Sequence, residues 1–230
     1  MSETSEQFKK KSLHVAIIPD GNRRFARQKG NRPWEGHFKG DQKLRDFLDW
    51  CLEYPEIKTI SIYALSTENA TQRSKEELDA LWGIYKKALE DITTDSRIKK
   101  NQIKVRVFGD SGLWRPEIKD VAKAAVNSTK NYSRYILNIM LAYGSKFEIN
   151  NAIKKIVGKP IQTIDKMLMV KEPIDLVIRT GGQRRLSNFM LYQASYAELY
   201  FTDTLWPDFT KKEFDHVIKW YWQQQKNFGK

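Results

Sequence analysis

The stretch His14-Val15-Ala16-Ile17-Ile18-Pro19-Asp20-Gly21-Asn22-Arg23-Arg24 decides the fold. It opens as a short, mostly apolar run, the pattern of a strand buried on both faces. Pro19-Asp20-Gly21-Asn22 are all turn residues, and Arg23 to Arg27 read as the first turns of a helix. In α/β proteins a buried strand, a glycine-containing turn and a helix start, in that order, build an anion site. The turn N–H groups and the positive end of the helix dipole face the ligand. Asp20 stands where the strand ends, a costly place for a carboxylate unless it meets a metal or a cation. Arg24 is near enough to help hold a phosphate. A plain βα turn with Asp20 as helix cap uses the same residues, so the rest of the chain has to decide.

Outward from that stretch, strand and helix patterns alternate. Ile57–Leu65, Gln102–Phe108, Arg134–Leu141, Ile174–Ile178 and Glu198–Phe201 read as further strands. Helical spacing runs over Gly40–Leu52, from Ser74 to Ile92, from Arg115-Pro116 to Thr129, over Phe147–Val157, more weakly over Pro160–Val170, from Ser187 to Ala194, and from Lys211 to about Gln225. Ser74-Lys75-Glu76-Glu77 has the spacing of a capping box. Asn31 to His37 reads as irregular, with His37 ahead of its helix. This alternation predicts one α/β domain with a central, mostly parallel six-stranded sheet flanked by helices, occupying 13–230 after a mobile basic tail at 1–12 that ends in Lys9-Lys10-Lys11.

Composition narrows the function classes. The chain has 230 residues, 40% of them hydrophobic, and a formal net charge of +12. That excess implies an anionic partner: a phosphorylated substrate, an anionic membrane surface or nucleic acid. No nucleic-acid recognition motif supports the last. Cys51 is the only cysteine, which excludes a disulfide framework and a thiolate zinc site. The absence of a signal peptide pattern and of a long apolar span points to the cytoplasm. The aromatic stripe with Trp82 and Tyr85 reads first as core, and a lone His37 reads first as a structural hydrogen-bonding residue.

Polar residues gather just after the strands, at Asp20-Gly21-Asn22, Ser66 to Asn69, Gly109-Asp110, Tyr143-Gly144 and Arg179 to Gly182. In a parallel sheet these ends share one edge, and ligands of open α/β folds bind beyond it. One site there could collect Asp20, Arg24, Asn69, Arg73, Arg179, Arg185, Ser187 and Glu198. Arginines beside a pair of carboxylates suit a magnesium diphosphate. Arg179, Arg184, Arg185, Ser187 and Asn188 form a second anion-binding set, which suggests two phosphorylated substrates. Neither the phosphate-loop nor the dinucleotide glycine pattern occurs, and no Asp-Asp-x-x-Asp motif is present.

The chain resembles the cis-prenyltransferases, the family of undecaprenyl and dehydrodolichyl diphosphate synthases. The likeness rests on His14 to Arg24, Gly36-His37, Tyr63-Ala-Leu-Ser-Thr-Glu-Asn69, Gly109-Asp110, Leu137-Asn138 with Tyr143-Gly144, Asp175 to Gly182, Arg185 to Phe201 and Leu205 to Phe209, in family order across nearly the whole chain. The resemblance implies a homodimer and a hydrophobic tunnel beside the sheet, with Leu137, Trp82 and Tyr85 as candidate wall residues. It implies an allylic prenyl diphosphate at the Asp20 turn, Mg2+ held by Asp20 and Glu198, and the donor diphosphate held by Gly21, Asn22, Arg23 and Arg24 with help from His37. Asn69 and Arg73 would flank the reacting carbons. Arg179, Arg185 and Ser187 would hold isopentenyl diphosphate, the usual acceptor. Peripheral membrane contact through the product follows from the same likeness.

The chain departs from the family pattern at Gln183, where a glutamate is usual, at Asn69-Ala70, at Tyr192, at Pro33 ahead of Gly36-His37, and at Asn227-Phe228-Gly229. These changes cluster on the acceptor side. They leave open a different acceptor, such as dimethylallyl diphosphate or a hydroxyl-bearing polyol or sugar derivative. A non-catalytic partner subunit of the same fold is a further alternative, against which the retained Asp20 speaks.

Overall fold

A computed structural model describes residues 12–158 and 164–224. The expected basic tail, apart from Ser12, the start of the weak Pro160–Val170 helix and the altered Asn227-Phe228-Gly229 terminus lie outside the described residues. Six strands form the sheet: β1 (Leu13–Ile18), β2 (Ile57–Ser66), β3 (Ile103–Phe108), β4 (Tyr135–Tyr143), β5 (Leu176–Arg179) and β6 (Glu198–Phe201). Their order is β3-β4-β2-β1-β5-β6, and every pairing is parallel. β1, the strand of the opening stretch, lies inside the sheet and is buried along its whole length. It pairs with β2 on one side and β5 on the other, so the chain switches direction across the sheet at β1. The loops beyond its carboxyl end part there and leave a crevice.

Around the sheet lie α1 (Asn22–Gln28), α2 (Glu35–Leu52), α3 (Thr67–Gln72), α4 (Lys75–Ile92), α5 (Ser96–Lys100), α6 (Pro116–Thr129), α7 (Ser145–Ile156), α8 (Ile164–Met167) and α9 (Lys211–Trp222). Side chains of β1 alternate between the two faces. Leu13, Val15 and Ile17 join Phe47 and Cys51 of α2 and Phe214, Val217 and Ile218 of α9. Ala16 and Ile18 join Val170, Phe189 and Met190 on the opposite face. α4 and α6 pack over the β2 and β4 ends through Leu81, Leu89, Ile118 and Ala122. That face also carries the cavity described below.

Local chemistry explains most helix starts. Ser74 caps α4 by accepting from the Glu77 N–H (3.3 Å), Ser66 caps α3 by accepting from Asn69 N–H (3.0 Å), and Pro116 opens α6. The reciprocal half of the expected capping box is replaced, because the Glu77 carboxylate turns to His37. α2 begins at Glu35, five residues before the expected Gly40, so His37 lies within the helix and not ahead of it. The expected helix from Ser187 to Ala194 does not form. Ser187, Asn188 and Met190 have φ of 50°, 65° and 41°, a left-handed backbone that a right-handed helix excludes. β4 runs two residues further than expected, to Tyr143.

Candidate active site

The site starts at the turn after β1. Gly21 has φ 115°, a backbone that favours glycine, and a Cβ there would lie 3.0 Å from Leu205. The turn is pinned from both sides. The Asp20 carbonyl accepts from Trp206 N–H (3.0 Å) and from the Thr180 hydroxyl (2.8 Å). Gly36 and Gly40 let α2 approach α1, with Asn22 filling the space that a larger residue would need. α1 therefore holds Arg23, Arg24 and Arg27 around one polar pocket of about 270 Å³, which Asp20, Gly21, Asn22, His37 and Arg73 complete.

Asp20 joins the two expected anion sets. Its Oδ1 accepts from Arg24 Nη2 (3.2 Å) and its Oδ2 from Arg179 Nη2 (2.9 Å). The Arg179 side chain is 5% exposed and that of Asp20 32%, so the carboxylate faces the pocket while the guanidinium is locked behind it. Arg179 Nη1 donates to the Ser187 hydroxyl (2.7 Å) and to the Arg185 carbonyl. Arg185 donates to Ser187 Oγ from Nε (3.3 Å) and to Gln183 Oε1 from Nη1 (2.6 Å). The loop that replaces the expected 187–194 helix is thus what carries Ser187 to Arg179. Asn188 anchors it by donating to Glu68 (2.9 Å) and accepting from Lys146 N–H (2.9 Å).

His37 faces Glu77 and Arg73. Its Nε2 is 3.0 Å from Glu77 Oε1 and 3.1 Å from Arg73 Nη1, and Arg73 Nη1 is 3.0 Å from the same Glu77 oxygen. Burial holds the His37 pKa below its ordinary value, against the upward pull of Glu77. Burial pushes Glu77 up, but the His37 bond and the charges of Arg73 and Arg23 outweigh it and hold the carboxylate below its usual range. His37 is therefore held toward its neutral form beside a Glu77 carboxylate held toward its charged form. Glu77 and Arg27 are the site residues that sequence reading passed over. Arg27 follows Arg23 and Arg24 at helical spacing, the one signal that could have found it, whereas Glu77 was accounted for as a cap.

Glu198 is the residue that the fold keeps apart. It opens β6 and pairs with Leu176, which pairs with Val15. The carboxyl end of β1, Ile18, lies three positions beyond Val15, about 10 Å along the strand direction at the usual rise, and Asp20 lies past it in the turn. The expected meeting of the two carboxylates over one metal does not occur within one chain, because β6 is only four residues long and presents Glu198 at its amino end. Among the described residues no group of three or more His, Cys, Asp or Glu is placed to hold a metal. A single carboxylate beside a polyphosphate pocket fits Mg2+, which is bound through one or two carboxylates plus substrate phosphates and water.

From this rim a cavity of about 810 Å³ runs along the sheet. Its floor is β2 and β4, with Ile60, Ile62, Ala64, Leu137 and Ile139, and its roof is α2 and α4, with Leu44, Leu48, Leu81 and Ala88. Asp20, Asn69, Arg73, Arg179, Arg185 and Ser187 stand at its head. The expected wall residues Leu137 and Tyr85 line it. Trp82 is buried instead in the core between α4 and α6.

A cationic, diphosphate-sized pocket opening into a long apolar channel defines a class: enzymes that act on a diphosphate ester carrying a hydrocarbon tail. The comparisons make it specific. Residues 18–229 match the family model described as "Putative undecaprenyl diphosphate synthase". The chain is 40% identical over 230 residues to a tritrans,polycis-undecaprenyl-diphosphate synthase (geranylgeranyl-diphosphate specific) of Pyrococcus furiosus, covering 94% of this chain and 86% of the relative. It is 39% identical over 228 residues to the protein so named in Pyrobaculum aerophilum, covering 94% and 95%. Among solved structures, a "probable undecaprenyl diphosphate synthase" from Campylobacter jejuni matches with TM-score 0.80 and 29% identity over 96% of this chain and 99% of that one. Lavandulyl diphosphate synthase from Lavandula x intermedia, in complex with dimethylallyl diphosphate, matches with TM-score 0.84 and 29% identity over 94% and 98%. The chain belongs to the undecaprenyl diphosphate synthase family, and it is a cis-prenyltransferase.

Proposed function

We propose that the enzyme joins an allylic prenyl diphosphate to isopentenyl diphosphate and houses the growing polyprenyl chain in the cavity along the sheet. The observation that carries this reading is the continuity of the cationic pocket at α1 with an apolar channel of about 810 Å³. Gly21, Asn22, Arg23, Arg24 and Arg27 take the donor diphosphate, with His37 of α2 and Arg73, at the end of α3, closing the pocket. Arg179, Arg185 and Ser187 take the acceptor diphosphate. Asp20, between the two sets, would hold Mg2+, and the ion when bound would supply positive charge against the departing diphosphate. The allylic C–O bond breaks and its electrons leave with the diphosphate, which the guanidinium groups stabilise. The acceptor double bond attacks the allylic carbon to form the new C–C bond, and loss of an acceptor proton restores a double bond. Asn69, exposed on α3 at the channel head, orients the reacting carbons with Arg73.

Two further parts belong to the same proposal. The enzyme works as a homodimer that pairs through the β6 side, where Leu199, Tyr196 and Tyr192 are exposed. It acts in the cytoplasm with peripheral membrane contact through its product. Among the described residues no helix is long and apolar enough to cross a membrane. Incubation with geranylgeranyl, farnesyl and dimethylallyl diphosphates plus labelled isopentenyl diphosphate and Mg2+ tests the reaction. Stepwise elongated products on at least one donor are expected. A product formed only when dimethylallyl diphosphate or an alcohol is the acceptor would replace isopentenyl diphosphate in this account.

A further inference from the structure

The channel is apolar on its sheet side and ionic along one line of its roof. Where α2 faces α4, Arg45 donates from Nη2 to Asp91 Oδ2 (3.0 Å) and from Nε to Asp41 Oδ2 (3.3 Å). Further from the donor pocket, Arg97 of α5 donates from Nη1 to both oxygens of Asp49 (3.0 and 2.8 Å) and from Nη2 to Asp95 (2.7 Å). All six residues line the cavity. Over the floor of Ile60, Ile62, Leu137 and Ile139 the roof is therefore clasped by Arg45 across the seam between α2 and α4 and by Arg97 between α2 and α5.

Arg45 is the group on which the middle of this seam depends. Its side chain is 29% exposed and joins carboxylates from both helices. Asp41 and Asp91 are close enough to repel one another, and burial pushes the Asp41 carboxyl up while Arg45 opposes that rise. Removing the guanidinium leaves Asp41 and Asp91 facing each other beside hydrocarbon, with Lys87, 74% exposed and 3.4 Å from Asp91 Oδ1, still beside the second of them, so the clasp across the seam is lost and the two carboxylates repel. A hydrocarbon chain that outgrows the floor meets two barriers. The sheet is packed and cannot part, and the seam parts only if charges lose their partners against an apolar surface.

We propose that Arg45, through Asp41 and Asp91, is a specificity-determining residue that sets product chain length by latching the α2–α4 seam against a growing prenyl chain. This rests on the prenyl-transfer reading above. The test is the mass distribution of products made from one allylic diphosphate and isopentenyl diphosphate by the full-length wild type, Arg45→Met and Arg45→Lys, with melting temperatures alongside. Arg45→Met is expected to shift the main product upward by one or more five-carbon units, while Arg45→Lys, which keeps the charge, stays at the wild-type length. A merely structural role lowers the melting temperature and the rate and leaves length alone, and an unchanged Arg45→Met distribution overturns the latch. Should Arg45→Met fail to fold, the double variant Asp41→Asn, Asp91→Asn removes the latch without creating repulsion, and the same upward shift is required of it. If wild type makes product but no variant lengthens it, only the latch fails. If wild type elongates no donor, the prenyl-transfer reading fails and the latch falls with it.

Discussion

Gly36→Ala sets two effects of opposite sign against each other. By helix propensity alone, alanine in place of a helical glycine stabilises by about 0.5–1 kcal/mol. The structure predicts the reverse. A Cβ at Gly36 would lie 2.0 Å from the Asn22 carbonyl oxygen and 3.2 Å from Ala26 Cβ, where real Cβ atoms essentially never come closer than 3.0 Å. α1 and α2 would have to separate by about 1 Å, and the obstacle is backbone, which cannot rotate away. Overpacking of this kind costs about 1–3 kcal/mol, so from the middle of both ranges the net loss is about 1 kcal/mol and the melting temperature falls by about 2–4 °C. The displaced residue is Asn22, in the donor pocket, and misplacement by about 1 Å can cost about 10²-fold in rate. Gly83 on α4 is the control. It has nothing within 4 Å of the added Cβ, so Gly83→Ala should gain the propensity term and keep full activity. Thermal melts and steady-state turnover of both variants decide the matter. A Gly36→Ala enzyme as stable and as active as wild type would refute the close approach of α1 and α2.

Three other outcomes are expected. Asp20→Ala should lose at least about 10²-fold in turnover while its circular dichroism stays that of a folded protein, since the carboxylate is a third exposed and lies at the rim. Glu77→Gln should destabilise by about 1.5–3 kcal/mol in denaturant unfolding, because Arg73 and the more distant Arg23 lose their shared carboxylate. Stability should fall as the solution is acidified. Burial lowers the pKa of both His14 and His37 from the ordinary 6.5, so below that value the unfolded chain binds protons that the folded one refuses. The denaturation midpoint at pH 5.5 should lie below that at pH 7.5, and an unchanged midpoint would contradict the burial of these two imidazoles.

Much of the architecture was legible because a parallel sheet writes itself as apolar runs separated by helical spacing. The β1 run and its turn predicted both the strand inside the sheet and the Asp20 carboxylate near Arg24, since nothing distant had to be known to place them, whereas Arg179 reaches Asp20 only through the pairing of β5 with β1. The start of α2 was hidden by Pro33 and Gly36, which read as loop until α1 is seen to need a glycine against it. The segment from Ser187 to Ala194 misled for a related reason. Its apolar residues are spaced for a helix, but Phe189 and Met190 pack under the sheet from a loop whose left-handed residues no spacing rule reveals. Glu198 was expected at the ligand edge on the rule that polar residues follow strands. It is the first residue of β6, and only register shows which end of a four-residue strand a side chain occupies. The ionic seam between α2 and α4 was invisible for the same reason, being made across elements far apart in sequence.

The central claim is that the apolar channel beneath α2 and α4 holds the growing hydrocarbon. Ala88 lines it from α4, so Ala88→Phe narrows the channel without touching the diphosphate pocket. Mass spectrometry of the products from one allylic donor and isopentenyl diphosphate should show a main product at least one five-carbon unit shorter than that of wild type. An identical product length from a folded, active Ala88→Phe enzyme would contradict it.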